Sequence, residues 1–176
     1  MQAIDIASYV RDVPDFPKKG IIFKDITPLL ANPDALNETV SLLLKPFENE
    51  KIDVVCGIES RGFIFGSLIA NRLGVGFVPI RKAGKLPSTT IAESYSLEYG
   101  TATIEIHEDA IKPGQRVLMV DDLLATGGTM AAACRLVERL GGKVVGCPFV
   151  VELTFIPGRK VLEKYRVHTL IEVAGE

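Results

Sequence analysis

The chain predicts an α/β fold, a central and mostly parallel sheet flanked by helices, and three observations carry that prediction. Short apolar runs with strand character alternate with segments whose apolar residues recur at helical spacing, the order that produces parallel strands joined by right-handed crossovers. Residues Val117 to Val120 run into Asp121-Asp122 and then through Leu123-Leu124 to Ala125-Thr126-Gly127-Gly128-Thr129, a strand–loop–helix signature. The 176 residues are 47% hydrophobic and 24% charged, the balance of a single globular domain, 1–176, with a substantial core.

Ile4 to Val13 reads as a short helix stopped by Pro14. Pro17, Gly20 and Ile21-Ile22-Phe23 mark a turn into a short strand. Thr27-Pro28 opens a helical turn with Thr27 as N-cap and Pro28 at the first helical position, and Asn32-Pro33 repeats that signal. Behind it Leu36, Val40, Leu43, Leu44 and Phe47 recur as the buried face of an amphipathic helix. Ile52 to Gly57 is a strand, Phe63 to Leu73 a helix closed by Gly74, and Phe77 to Ile80 the next strand.

The rhythm then breaks. Arg81 to Glu93 is polar, basic and interrupted by Gly84 and Pro87; Tyr95 to Tyr99 and Thr101 to Ile106 follow as two strands joined at Gly100. An irregular insertion between two sheet strands, on the side where ligands bind, reads as a flexible lid over residues 81–106. After it come the strand Val117 to Val120, a helix from Thr129 to Leu140 stopped by Gly141-Gly142, and a strand from Val144 to Val151.

Composition excludes several function classes. A net charge of −2 offers no broad basic surface for nucleic acid. Cys56, Cys134 and Cys147 share no metal-ligand spacing and sit in apolar contexts, as reduced cysteines of a cytoplasmic protein do. The N-terminus lacks the basic start and apolar run of a signal peptide, and the longest apolar region is interrupted by Asn71 and Arg72, which argues against a membrane span. His107 and His168 belong to no ligand cluster.

Three segments carry chemistry. At Ala125 to Thr129 several backbone N–H groups gather at a helix N-terminus, where an anion is favoured. Asp121 and Asp122 stand beside it at a strand's carboxyl end, as acceptors for sugar hydroxyls. Together these read as a ribose-phosphate site. Glu59-Ser60-Arg61-Gly62-Phe63 also follows a strand, so Arg61 is placed to fork onto a phosphate. Arg81, Lys82 and Lys85 stand at the next strand end, either as ligands of a polyanion or as a solvated basic loop.

The string Val117 to Thr129 resembles the phosphoribosyl-diphosphate (PRPP) motif of the type I phosphoribosyltransferases. Further segments resemble the adenine branch of that family: Pro14-Asp15-Phe16-Pro17, Gly20 to Pro28, Ser60 to Phe63, Ile80-Arg81-Lys82, Gly84 to Pro87, Tyr95 to Gly100 and Val151-Glu152-Leu153. They span most of the chain in the family's order. The resemblance implies transfer of the phosphoribosyl group of PRPP to adenine, releasing AMP and pyrophosphate. It implies Mg²⁺ carried by PRPP oxygens, with no ligand coming directly from the protein. Asp121 and Asp122 would bind the ribose, and Ala125, Thr126, Gly127, Gly128 and Thr129 the 5′-phosphate. Ser60, Arg61, Arg81, Lys82 and Lys85 would meet the pyrophosphate, with Arg81 presented to the partner subunit of a homodimer. Within a base-binding hood over residues 1–35, Ile22 and Lys24 would read the adenine edge. Phe23 and Leu153 would sandwich the ring, and Glu98 would handle the base proton. Many relatives carry Arg at the position of Lys24, a change of little consequence if the backbone reads the base and a costly one if the side chain does.

Three other readings compete. A PRPP-sensing regulator on the same fold would need a DNA-binding segment, and the residues before the first core strand show neither a helix-turn-helix pattern nor a basic stripe. A transferase for another purine would keep everything except the Ile22–Lys24 segment. A receiver-type signalling domain would explain the paired acids but not the Ala125–Thr129 turn.

Overall fold

The computed structural model describes residues 4–97 and 100–175. An antiparallel ribbon of β1 (Arg11–Pro14) and β2 (Ile22–Asp25) leads into α1 (Thr27–Ala31) and α2 (Pro33–Leu44). The core follows as β3 (Val54–Ile58), α3 (Gly62–Leu73), β4 (Gly76–Lys82), β5 (Thr90–Ser96), β6 (Thr101–His107) and β7 (Arg116–Leu124). It closes with α4 (Gly128–Arg139), β8 (Lys143–Leu153), the short α5 (Gly158–Val161) and β9 (Val167–Val173). Seven strands form one sheet in the order β5-β6-β4-β3-β7-β8-β9. From β4 to β9 every pairing is parallel, and the β5–β6 hairpin adds an antiparallel edge beside β4. The expected α/β class holds.

Central strands buried on both faces explain the unbroken apolar runs. On β7, Val117 and Met119 join the core that α4 covers, while Leu118 and Val120 join the core under α2 and α3. Phe65 and Ile69 of α3 are fully buried in the second core, each worth about 1.5–3 kcal/mol by apolar burial. The Asn32 side chain caps α2 by accepting from the Ala35 N–H at 2.9 Å, and Gly74 ends α3 in the left-handed conformation at φ 67°. Cys56, Cys134 and Cys147 are all free and fully buried, with the Cys134 and Cys147 sulfurs 3.8 Å apart.

Several local expectations are corrected. The helix expected over Ile4 to Val13 is only a 3₁₀ turn, Ile6–Tyr9, after which the chain extends into β1. Cross-strand partners decide this: Arg11 pairs with Asp25 and Lys24 with Asp12, both at 2.6 Å. Thr27 is the first residue of α1 rather than its cap; its N–H and hydroxyl both donate to Asp25. The stretch expected to be irregular up to Glu93 already becomes strand at Thr90, because Ile91 and Tyr95 pack inward between polar neighbours. Finally, β7 does not stop at Val120. It continues to Leu124 alongside β8, through the register pairs Asp121↔Phe149 and Leu124↔Glu152.

Candidate active site

Pairing between β3 and β7 ends at Gly57↔Val120, and the two strands part above that point. The opening is a cleft of about 480 Å³. Ser60, Arg61, Arg81, Lys82, Lys85, Asp121, Asp122 and Thr129 all line it. A smaller pocket of about 90 Å³ lies between Asp121 and the turn, lined by Ala125, Thr126, Gly127 and Thr129 among others. The sheet thus brings together the carboxylates, the small-residue turn and the basic residues that lie far apart in sequence.

The turn is built to receive an anion. Gly127 takes φ 78° at the N-cap position of α4, a conformation that suits glycine, and no side chain caps the helix. The first N–H answered inside the helix is that of Ala131, by the Gly127 carbonyl at 2.9 Å. The N–H groups ahead of it have no acceptor within the helix and lie at the positive end of a 12-residue helix, where an anion is favoured. The turn is pressed from behind by the segment that starts α5. A Cβ on Gly158 would lie 2.0 Å from the Ala125 carbonyl oxygen, and one on Gly127 would lie 2.6 Å from the Gly158 carbonyl oxygen. Arg159 pins that segment by pairing with the buried Glu152, whose carboxylate also accepts from Thr169 at 2.9 Å.

The two adjacent acids have different surroundings. Asp122 is buried and receives the Arg61 Nε at 2.6 Å. Asp121 accepts from the Asp122 N–H at 2.9 Å and faces the smaller pocket. Burial, reinforced by the Asp122 charge, pushes the Asp121 carboxyl well above the usual carboxylate range.

The basic residues are organised by an acid that sequence reasoning missed. The Glu59 carboxylate accepts from Arg81 Nη2 at 3.2 Å, Lys85 Nζ at 2.8 Å and the Lys82 N–H at 3.1 Å. Burial pushes Glu59 up, but these hydrogen bonds outweigh it and hold the carboxyl at about 2. An acid beside an arginine in a strand-end loop was the available signal. Tyr95 was also missed: its hydroxyl accepts from Thr129 at 2.9 Å inside the cleft.

Ile22, Phe23, Lys24 and Leu153 do not line the cleft. Phe23 reaches it through Arg61, whose guanidinium carbon lies 5.2 Å from the ring centroid, and Phe16 packs edge-on against the same ring at 5.3 Å. Lys24 stands opposite Asp12 on β1, on the other face of the ribbon from Phe23, and its ammonium is held there by Asp12 at 2.6 Å. That pairing occupies the Lys24 ammonium and leaves its backbone groups on the ribbon. Leu153 is the last residue of β8 and packs against the core under α2 and α3. Glu98 lies outside the described residues.

Comparison with known proteins shows the family. Residues 25–170 match the family described as phosphoribosyl transferase domain. The chain is 54% identical to adenine phosphoribosyltransferase of Rhodopirellula baltica over 99% of its own length and 85% of that protein. It is 56% identical to the enzyme of the same name from Thermobifida fusca, with 96% of each chain covered. Among solved structures, adenine phosphoribosyltransferase from Thermoanaerobacter pseudethanolicus superposes with a TM-score of 0.93 at 54% identity, covering 96% of this chain and 98% of that one. The Saccharomyces cerevisiae enzyme, solved with adenine and an imino-altritol bisphosphate, gives a TM-score of 0.89 at 43% identity, covering 94% of this chain and 96% of that one.

Proposed function

The chain belongs to the phosphoribosyl transferase family, and from that membership we propose that it transfers the phosphoribosyl group of PRPP to adenine, forming AMP and pyrophosphate in purine salvage. The observation that carries the reading is the cleft itself. Together with the smaller pocket beside it, it offers an anion-binding turn, two carboxylates and four cations, the complement that the 5′-phosphate, ribose and pyrophosphate of PRPP require.

Each residue then has a task. The N–H groups of Ala125 to Thr129 hold the 5′-phosphate, which fixes the sugar against the sheet. Asp121 and Asp122 take the ribose hydroxyls. Ser60, Arg61, Arg81, Lys82 and Lys85 receive the pyrophosphate. Glu59 keeps Arg81 and Lys85 in place before substrate arrives, so little reorganisation is needed as charge develops on the leaving group. Ile22 and Lys24 read the base edge through their backbone, Phe23 and Leu153 enclose the ring, and Glu98 handles the proton on the base. The hairpin over residues 81–106 serves as the lid that keeps water from the reacting carbon, and residues 1–35 serve as the hood.

The donors suit a Mg²⁺ ion carried by its substrate. No group of three or more His, Cys, Asp or Glu side chains able to hold a metal exists among the described residues, so most ligands would be oxygens of PRPP and water. When bound, the ion supplies neutralising charge to the pyrophosphate. The same proposal places the enzyme in the cytoplasm as a homodimer.

The test is direct. The protein, PRPP and Mg²⁺ are mixed with adenine, hypoxanthine, guanine or xanthine in turn, and nucleotide and pyrophosphate are followed. AMP from adenine alone, abolished by chelating the metal, is the expected result. Product from another base would overturn the base assignment, and no product from any base would overturn the transferase reading.

A further inference from the structure

We propose that the Tyr95 phenol is a ligand of the ribose 5′-phosphate, acting as one unit with the Thr129 hydroxyl. The inference rests on the phosphoribosyl reading above and adds a residue that lies on the lid hairpin rather than on the turn. Thr129 donates its hydroxyl proton to Tyr95 Oη over 2.9 Å. Two hydroxyls that share one hydrogen bond keep one proton spare, and the Tyr95 hydroxyl has no other hydrogen-bond partner among the described residues. Both side chains line the main cleft, and Thr129 also lines the phosphate-sized pocket. A phosphate seated there completes a chain from Thr129 through Tyr95 to an anionic oxygen, in which each hydrogen bond strengthens the next.

The phenol is well mounted for this task. Its ring lies against the first turn of α4: a Cβ on Gly128 would sit 3.3 Å from Tyr95 Cδ2. Two residues earlier, on the same face of β5, Glu93 takes Arg135 at 2.6 Å and Arg139 at 3.1 Å, and the Ala92 carbonyl accepts from Arg139 at 2.6 Å. These contacts hold β5 along α4 and set the hydroxyl beside the turn whose N–H groups would face the phosphate.

The experiment compares wild type, Tyr95→Phe, Thr129→Val and the double variant for binding of AMP, ribose 5-phosphate and pyrophosphate by calorimetry. Phenylalanine keeps the ring contact with Gly128, and an unchanged melting temperature confirms that the fold is kept. Tyr95→Phe is expected to weaken AMP and ribose 5-phosphate roughly tenfold while pyrophosphate stays within about twofold. The double variant is expected to lose less than the product of the two single losses, because one hydrogen-bonded chain is broken in each. AMP binding equal to wild type in Tyr95→Phe would overturn the proposal, as would an equal loss for pyrophosphate. Failure of the wild type to bind AMP and ribose 5-phosphate would instead overturn the phosphoribosyl reading, and this proposal with it.

Discussion

Gly158→Ala is expected to cost roughly a hundredfold in kcat/KM for PRPP, because the added methyl must displace the turn proposed to hold the 5′-phosphate, and misplacement by about 1 Å has that effect on a positioned substrate. The new Cβ would lie 2.0 Å from the Ala125 carbonyl oxygen and 3.0 Å from its carbon, backbone atoms that cannot swing aside as a flexible side chain would. Either the turn moves into the pocket or the α5 segment retreats, and retreat strains the pairing of Arg159 with Glu152. Over-packing of this kind lowers stability by about 1–3 kcal/mol, so the variant should fold with a reduced melting temperature. Steady-state kinetics with PRPP varied, alongside thermal melts, would check both parts. Full activity in a folded Gly158→Ala protein would show that the turn tolerates displacement and is not the phosphate seat.

Asp122→Asn is expected to have the second large effect. Asp122 is buried, and its charge is matched by Arg61 at 2.6 Å. The amide removes that charge-assisted bond and weakens the proposed acceptor for the ribose hydroxyls, a loss of about 1.5–3 kcal/mol, or roughly ten- to a hundredfold in PRPP affinity. Arg61 loses its anchor at the same time and should shift toward Phe23, its other neighbour. Asp121→Asn should be milder, since burial and the Asp122 charge already favour the protonated form, which an amide imitates. Titration of each variant with PRPP separates the two acids. Wild-type affinity in Asp122→Asn would remove that residue from the ribose site.

Much of this architecture was legible because the signals were local. The β3, β4, β7 and β8 runs, the Asn32 cap and the Gly74 stop each depend on a few neighbouring residues. The turn at Ala125 to Thr129 was legible for the same reason: its small residues and glycines mark a tight turn that opens a helix. Partnerships formed across the fold were not legible. The strand at Arg11–Pro14 exists through pairing with β2, and its sequence alone suits a helix equally well. The extension of β7 past Val120 depends on β8 continuing beside it. Glu59 entered only as a neighbour of Arg61, because Arg81 and Lys85 reach it from the end of β4 and the loop after it only once the chain has folded. Gly158 gave no sign at all, since its importance is the absence of a methyl group against a carbonyl more than thirty residues earlier in the chain.

The sealed cysteines carry a practical consequence. All three thiols have no exposure to solvent, and burial pushes the Cys56 thiol far above its ordinary range, so the reactive thiolate is scarce as well as inaccessible. An alkylating reagent therefore modifies only molecules that have opened, which makes these side chains built-in reporters of breathing in the sheet. With Cys56 on β3, Cys134 on α4 and Cys147 on β8, the order in which they are labelled reads out which layer loosens first.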